Sequence, residues 1–292
     1  MSYDAIIVGA GPNGMAAAIT LAQAGAKVLV IEGKATVGGG MRTAELTLPG
    51  FHHDICSAVH PLGMGSPFFA DLPLDEFGLD WLQPEIPLAH PFDDGSAVAL
   101  YEDLAATGAS IGGADGLRWQ RAMQPLTDDW PQLAPALLSP LPLSPPLFGL
   151  ARFGLAALQP AALYARHTYR DERAQALFAG LAAHAIRPQE QMATTSFGLV
   201  LGVLGHAVGW PVPRGGSQTI ADAMARYLQT LGGEIVCGWP VTSLEELPRA
   251  RVTLLDVTPR QVLDLAGDRL PARYRTQLAR YRYGPGVFKL DY

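Results

Sequence analysis

Apolar and polar positions follow two periods along this chain, and the switches between them mark its elements. Tyr3-Asp4-Ala5-Ile6-Ile7-Val8 is a short β-rich run, broken at once by Gly9-Ala10-Gly11-Pro12-Asn13-Gly14. Met15 to Ala24 reads as a small-residue helix stopped by Gly25, and Lys27-Val28-Leu29-Val30-Ile31 as a second strand closing on Glu32. Far downstream Ser217 stands as a helix N-cap. Ile220, Met224, Leu228 and Leu231 then share one helical face before the stop at Gly232. Another strand is predicted over Val252 to Leu255. Between these outer parts, a hairpin turns at Asp93-Asp94-Gly95. A helix follows over Asp171 to Ala185, and Phe197 to Trp210, whose only polar side chain is His206, reads as a buried helix. At the far end Val287-Phe288-Lys289-Leu290-Asp291-Tyr292 is strand-like, with Val287, Lys289 and Asp291 on one face.

The segment from Pro135 to Ala165 has a single charge, Arg152, but prolines at 140, 142, 145, 146 and 160 divide it. A membrane span needs about 20 uninterrupted apolar residues, so this stretch is a poor candidate. Buried helices joined by proline-rich connections are expected instead, with a membrane-contacting surface as the alternative.

The first unit carries the most specific chemistry. A GxGxxG alone is weak, but here it lies between a strand and a helix, with a carboxylate at the end of the next strand. Gly9 permits a tight turn, Gly11 lets the backbone approach a pyrophosphate, and Gly14 lets helix and strand pack closely. The pyrophosphate rests on the helix N-terminus, contributed by Pro12 and Asn13, and Glu32 accepts from the adenosine ribose. Its negative charge argues against a 2′-phosphate. These residues predict an ADP-containing dinucleotide.

Gly38-Gly39-Gly40-Met41-Arg42 just beyond resembles the flavoprotein segment in which a glycine pair and an arginine close over the FAD pyrophosphate. Guanidinium grips phosphate oxygens bidentately. The typical pattern has arginine directly after the glycine pair, whereas Gly40 stands there and the arginine comes at 42. Leu48 to Leu62, Pro213-Arg214-Gly215-Gly216-Ser217-Gln218 and Asp256-Val257-Thr258-Pro259 also resemble phytoene desaturase-like FAD oxidoreductases of the amine-oxidase-type superfamily.

That resemblance implies an α/β fold: a Rossmann-like FAD domain in two pieces (1–75 and 212–262) around a largely helical substrate domain (76–211). Residues 263–292 are expected to return to the substrate domain. It implies FAD as cofactor, adds Val241 and Thr258 to the cofactor-contacting residues, and places Lys289 beside flavin N5 through a water. It further implies hydride removal from an apolar small-molecule substrate. Relatives continue beyond this length, so a C-terminal half or a homo-oligomer partner is expected to complete the flavin site. The contrasting reading is a non-catalytic FAD-fold binding protein, or an inactive fragment that needs a C-terminal partner.

Composition narrows the partners. The net charge of -6, without a Lys/Arg run, speaks against nucleic acid. Two cysteines, Cys56 and Cys237, imply neither a disulfide framework nor a redox dithiol. No basic leader precedes the first strand and two cysteines fit a reducing compartment, so a cytoplasmic protein is expected, with peripheral membrane contact as the alternative. His52, His53, Asp54, Cys56 and His60 lack zinc-ligand spacing, and no metal is expected. His184 and His206, set in apolar helical stretches, are expected as satisfied core histidines.

Overall fold

The computed structural model describes residues 2–140 and 144–291; Pro142 and Tyr292, invoked above, lie outside them. The chain forms two compact units. One comprises the residues up to Ala58, Pro73–Trp81 and those from Pro213 on; the other is Val59–Leu72 with Leu82–Val212.

The first unit is built on a parallel sheet of β1 (Tyr3–Val8), β2 (Val28–Ile31), β3 (Glu234–Val236) and β4 (Ala250–Leu255), in the order β4-β1-β2-β3. Ala5 pairs with Val28 on one side and Val252 on the other, and Ile31 pairs with Val236. Two distant stretches of sequence therefore share one sheet. β2 is buried along its whole length, as a central parallel strand covered on both faces should be. Helix α1 (Pro12–Gln23) begins earlier than predicted because Pro12 takes the first helical position, where a missing N–H costs nothing. It buries Met15, Ala18, Ile19 and Ala22 and packs on α2 (Gln218–Thr230), whose Ile220, Met224 and Leu228 are also buried. Gly25 and Gly232 follow the two helices at φ 82 and 84, the left-handed stop that glycine adopts freely. On the other face Ile6, Val8, Leu29 and Ile31 pack with Trp239, Val241 and Leu255.

Ser217 holds the N-cap position of α2 but does not cap it. Its hydroxyl donates to the Ser57 carbonyl at 2.7 Å. The free N–H groups are met from another strand pair: Ser217 N donates to Asp54 Oδ1 (2.7 Å) and Gln218 N to Thr43 Oγ1 (3.0 Å). Thr43 and Asp54 are paired across the antiparallel hairpin of Thr43–Glu45 and His52–Asp54, and joined by a 2.6 Å hydrogen bond.

Two expectations are corrected in this unit. The run at 287–291 is no strand: it has no ladder partner among the described residues, and Val287 and Phe288 are 80 and 85 % exposed. An alternating pattern makes a strand only where a second strand accepts its hydrogen bonds. Residues 263–291 also cluster with this unit and not with the helical one. Tyr283 accepts from the Arg260 N–H at 3.1 Å, and Asp291 lies 3.3 Å from His53, which hold the segment there.

The second unit is largely helical around fully buried Trp119, Tyr169, Phe178, Met123 and Leu177. It contains the hairpin Leu88–Pro91 and Ala97–Leu100, with Gly95 at φ 82 in the turn. The helix Glu172–Ala182 is capped by Asp171, which accepts from Arg173 N at 2.8 Å. His206, in the helix Thr195–Ala207, is buried and satisfied: it accepts from Trp119 Nε1 (3.0 Å) and its Nδ1 lies 3.1 Å from the Glu102 carbonyl. His184, by contrast, is exposed in a 3-10 turn, so the core assignment fails for it. Buried helices were also expected at 147–157, but Leu147–Ala157 buries only Gly149 and Ala157 and leaves Leu147, Phe148 and Leu155 largely exposed. Among the described residues no single helix is long and apolar enough to cross a membrane; Leu147–Ala157 and Ala161–Thr168 are bent by 98°.

Candidate cofactor site

The glycine loop leaves β1 through Gly9, whose φ of 108 only glycine adopts without strain and whose N–H donates to the Ile31 carbonyl at 2.8 Å. A Cβ on Gly9 would lie 2.3 Å from the Asp256 carbonyl, and one on Gly14 would lie 2.1 Å from the Gly9 carbonyl. These two glycines are thus required by protein against protein. The second glycine cluster comes in over the first: a Cβ on Gly39 would lie 2.9 Å from Gly11 Cα, and Gly38 N donates to the Ala10 carbonyl at 2.8 Å. Gly40 is less constrained, since its Cβ would make only ordinary contact with Cys56 at 3.8 Å.

Glu32 folds back onto this loop. One carboxylate oxygen accepts from Ala10 N and the other from Lys34 N, each at 2.9 Å. Each oxygen keeps a further lone pair, the capacity a ribose diol would use. Arg42 is turned inward: its Nε donates to the Gly39 carbonyl at 2.9 Å, so the displaced arginine still belongs to the glycine cluster.

At the N-terminus of α1 the structure adds a residue the sequence reading missed. Asp256 Oδ2 accepts from Gly14 N at 2.7 Å. Pro12 has no N–H, so Asn13 supplies the remaining early donor of the helix, at its positive end. An anion there shares the helix end with a fixed carboxylate. Asp256 stands just past the carboxyl end of β4, where parallel sheets of this kind build their sites, and that position was its available signal.

Two other predicted contacts are otherwise engaged. Val241 packs against the apolar cluster under the sheet. The Thr258 hydroxyl donates to Gln261 Oε1 at 2.8 Å in the capping box of Pro259–Ala266. Lys289 is ion-paired with Asp291 on the unpaired terminal segment, so the strand that was to aim it at a flavin is absent. His53 Nδ1 lies on the other side of that carboxylate. Cys56 and Cys237 are free and exposed.

Residues 13–270 match the family described as flavin containing amine oxidoreductase. The chain belongs to this family. The residues present fit the ADP half of the flavin cofactor FAD: Glu32 keeps acceptor capacity for ribose hydroxyls, and Gly11 at the α1 N-terminus supplies no side-chain cap. Among similar proteins is one polypeptide of the limonene dehydrogenase of Castellaniella defragrans, 34 % identical over 108 residues, which are 37 % of this chain and 19 % of that protein. A thiamine thiazole synthase of Pyrococcus horikoshii is 54 % identical over 41 residues, 14 % of this chain and 16 % of that one. Among solved structures, putrescine oxidase bound to putrescine has a TM-score of 0.61 at 20 % identity, covering 96 % of this chain and 63 % of its own. An oxidoreductase from Methanosarcina mazei has a TM-score of 0.62 at 15 % identity, covering 96 and 65 %. These likenesses establish the FAD-dependent amine oxidase fold. The chain spans about two-thirds of the length of these solved chains and less of the curated relatives.

Proposed function

We propose that this chain provides the ADP-binding and substrate-binding parts of an FAD-dependent oxidoreductase that removes hydride equivalents from an apolar small molecule. The observation that carries the proposal is the paired glycine loops, with Gly39 seated on Gly11 and Glu32 reaching back to Ala10 in the first of them. When bound, FAD supplies the hydride acceptor; the protein binds, orients and excludes water. Glu32 takes the ribose hydroxyls, the α1 N-terminus and Arg42 face the phosphates, and the helical unit supplies an apolar environment for substrate. An apolar substrate is favoured by the high apolar content of the helical unit and by the likeness to a protein named as part of a limonene dehydrogenase.

The test begins with flavin reconstitution of the purified protein, read by visible absorption and fluorescence. The holoprotein is then mixed anaerobically with limonene and, separately, with putrescine. Bleaching of the flavin by limonene and not by putrescine is the expected result. Absence of any flavin band would leave the non-catalytic FAD-fold binding protein, or an inactive fragment that needs a C-terminal partner, as the better reading, and bleaching by putrescine alone would replace the apolar substrate with an amine.

A further inference from the structure

The helical unit contains a cleft of about 390 Å³ walled by Leu62, Leu138, Phe197, Val200 and Leu201, with His184 and Ser196 as its only polar lining among the described residues. That volume falls within the range of small-molecule sites, which are apolar with a few placed polar groups. The polar pair is matched in character. The Ser196 hydroxyl donates to the Ala193 carbonyl at 2.6 Å, so its oxygen is left as an acceptor. His184 Nδ1 lies 3.2 Å from the Leu181 carbonyl and 3.3 Å from that of Gly180. Carbonyls only accept, so Nδ1 carries the proton, and in the neutral ring Nε2 is an acceptor too. Among the described residues, no carboxylate lines the cleft to balance a cation, and no arginine or lysine lines it to balance an anion.

We infer that this cleft binds a neutral apolar molecule bearing one hydroxyl, whose proton is donated to His184 Nε2 or Ser196 Oγ while its hydrocarbon body fills the leucine-and-valine wall. As a substrate pocket it rests on the oxidoreductase reading above; as a binding site it stands on the cleft alone. A hydroxyl satisfies the acceptors, whereas a pure hydrocarbon leaves them unpaired as water is expelled. An alkylammonium brings a charge with no partner.

The probe is 1-octanol, compared with its isomer 1-methoxyheptane, which has the same atoms and no donor, and with octylamine at pH 7. Binding to the flavin-free chain is measured by titration calorimetry and saturation-transfer NMR. The alcohol is expected to bind about five- to tenfold more tightly than the ether, the ratio of one net hydrogen bond, and more tightly than the amine. Removing the acceptor that the alcohol uses, by Ser196→Ala or by His184→Phe, should reduce alcohol affinity severalfold in at least one of the two variants and leave ether affinity unchanged in Ser196→Ala, and Val200→Trp should abolish both by filling the cleft. Equal binding of alcohol and ether, tighter binding of the amine, no binding of the alcohol, or Val200→Trp binding like the parent would each overturn the inference. None of these readouts needs flavin, so a failure here and a failure of flavin reconstitution are distinguishable.

Discussion

Glu32 has two tasks that one carboxylate can perform together. It ties Ala10 and Lys34 through their N–H groups and keeps lone pairs turned outward from that loop. Glu32→Ala should therefore weaken FAD binding by about 1–3 kcal/mol, the usual cost of removing charged hydrogen bonds. Glu32→Gln, which keeps one accepting oxygen, should fall between. Fluorescence titration of flavin into an FAD-binding form of the protein decides it; unchanged affinity in Glu32→Ala would remove this residue from the cofactor site. Asp256 is a different case, because its carboxylate is spent on Gly14 N. The motif's spacing announces Glu32 four residues after Val28, whereas Asp256 is marked only by its place after a strand, and its partner Gly14 lies at the other end of the chain.

Elements here are finished by residues outside themselves. The N-terminus of α2 is served by Asp54 and Thr43, so Asp54→Ala strands two donors at once and should cost about 1–3 kcal/mol in urea denaturation. Ser217→Ala, by contrast, removes one bond to the Ser57 carbonyl and should cost less. If the ranking is reversed, Ser217 caps the helix after all. A second contrast lies between the helices Leu104–Ile111 and Gly113–Asp128, which cross at glycines. A Cβ on Gly116 would meet the Gly108 carbonyl at 2.1 Å, backbone that cannot yield, while one on Gly108 would mainly meet the Gln120 side-chain amide at 2.3 Å. Gly116→Ala should therefore destabilise by about 1–3 kcal/mol or more, and Gly108→Ala by less. Equal melting temperatures for the two variants would contradict the crossing. Local pattern made α1, α2, three of the four sheet strands and the 93–95 turn legible, because each is written in its own residues; β3 was not predicted. It misread 287–291 and His184, because a strand needs a partner and a core position needs a neighbour, and neither is encoded at the site itself.

At the scale of the molecule, the buried polar groups of the helical unit set its response to acid. Burial pushes the His206 pKa down, and the carbonyls of Glu102 and Tyr101 with the Asp103 charge offset this only in part. A folded value below the ordinary histidine value of about 6.5 means that the neutral ring's stabilisation is complete above that pH. It is lost as pH falls from there through the folded value, when a proton must displace the Trp119 N–H from Nε2. Asp115 acts lower on the scale. Burial raises its pKa, but the Asp171 and Arg170 N–H groups and the Arg118 guanidinium outweigh that and hold it below the usual carboxylate value. Its contribution is lost only as pH drops beneath the carboxylate range. Denaturation at pH 7.5 and 5.5 should show a drop in stability for the parent and a smaller one for His206→Gln, which cannot titrate. The same drop in both would place the acid sensitivity elsewhere.

The seat of Asp256 on Gly14 and of β4 beside β1 also fixes a timetable. The two halves of that contact are 242 residues apart, and ribosomes add about 5–20 residues per second, so the first half waits roughly 10–50 s for the second. During that interval β1 presents one open edge of Ala5, Ile6, Ile7 and Val8, the kind of edge that templates pairing with other chains. A newborn molecule of this design is thus most exposed to misassembly before its cofactor site exists, and it should lean on chaperones early in synthesis and little once Leu255 has left the ribosome.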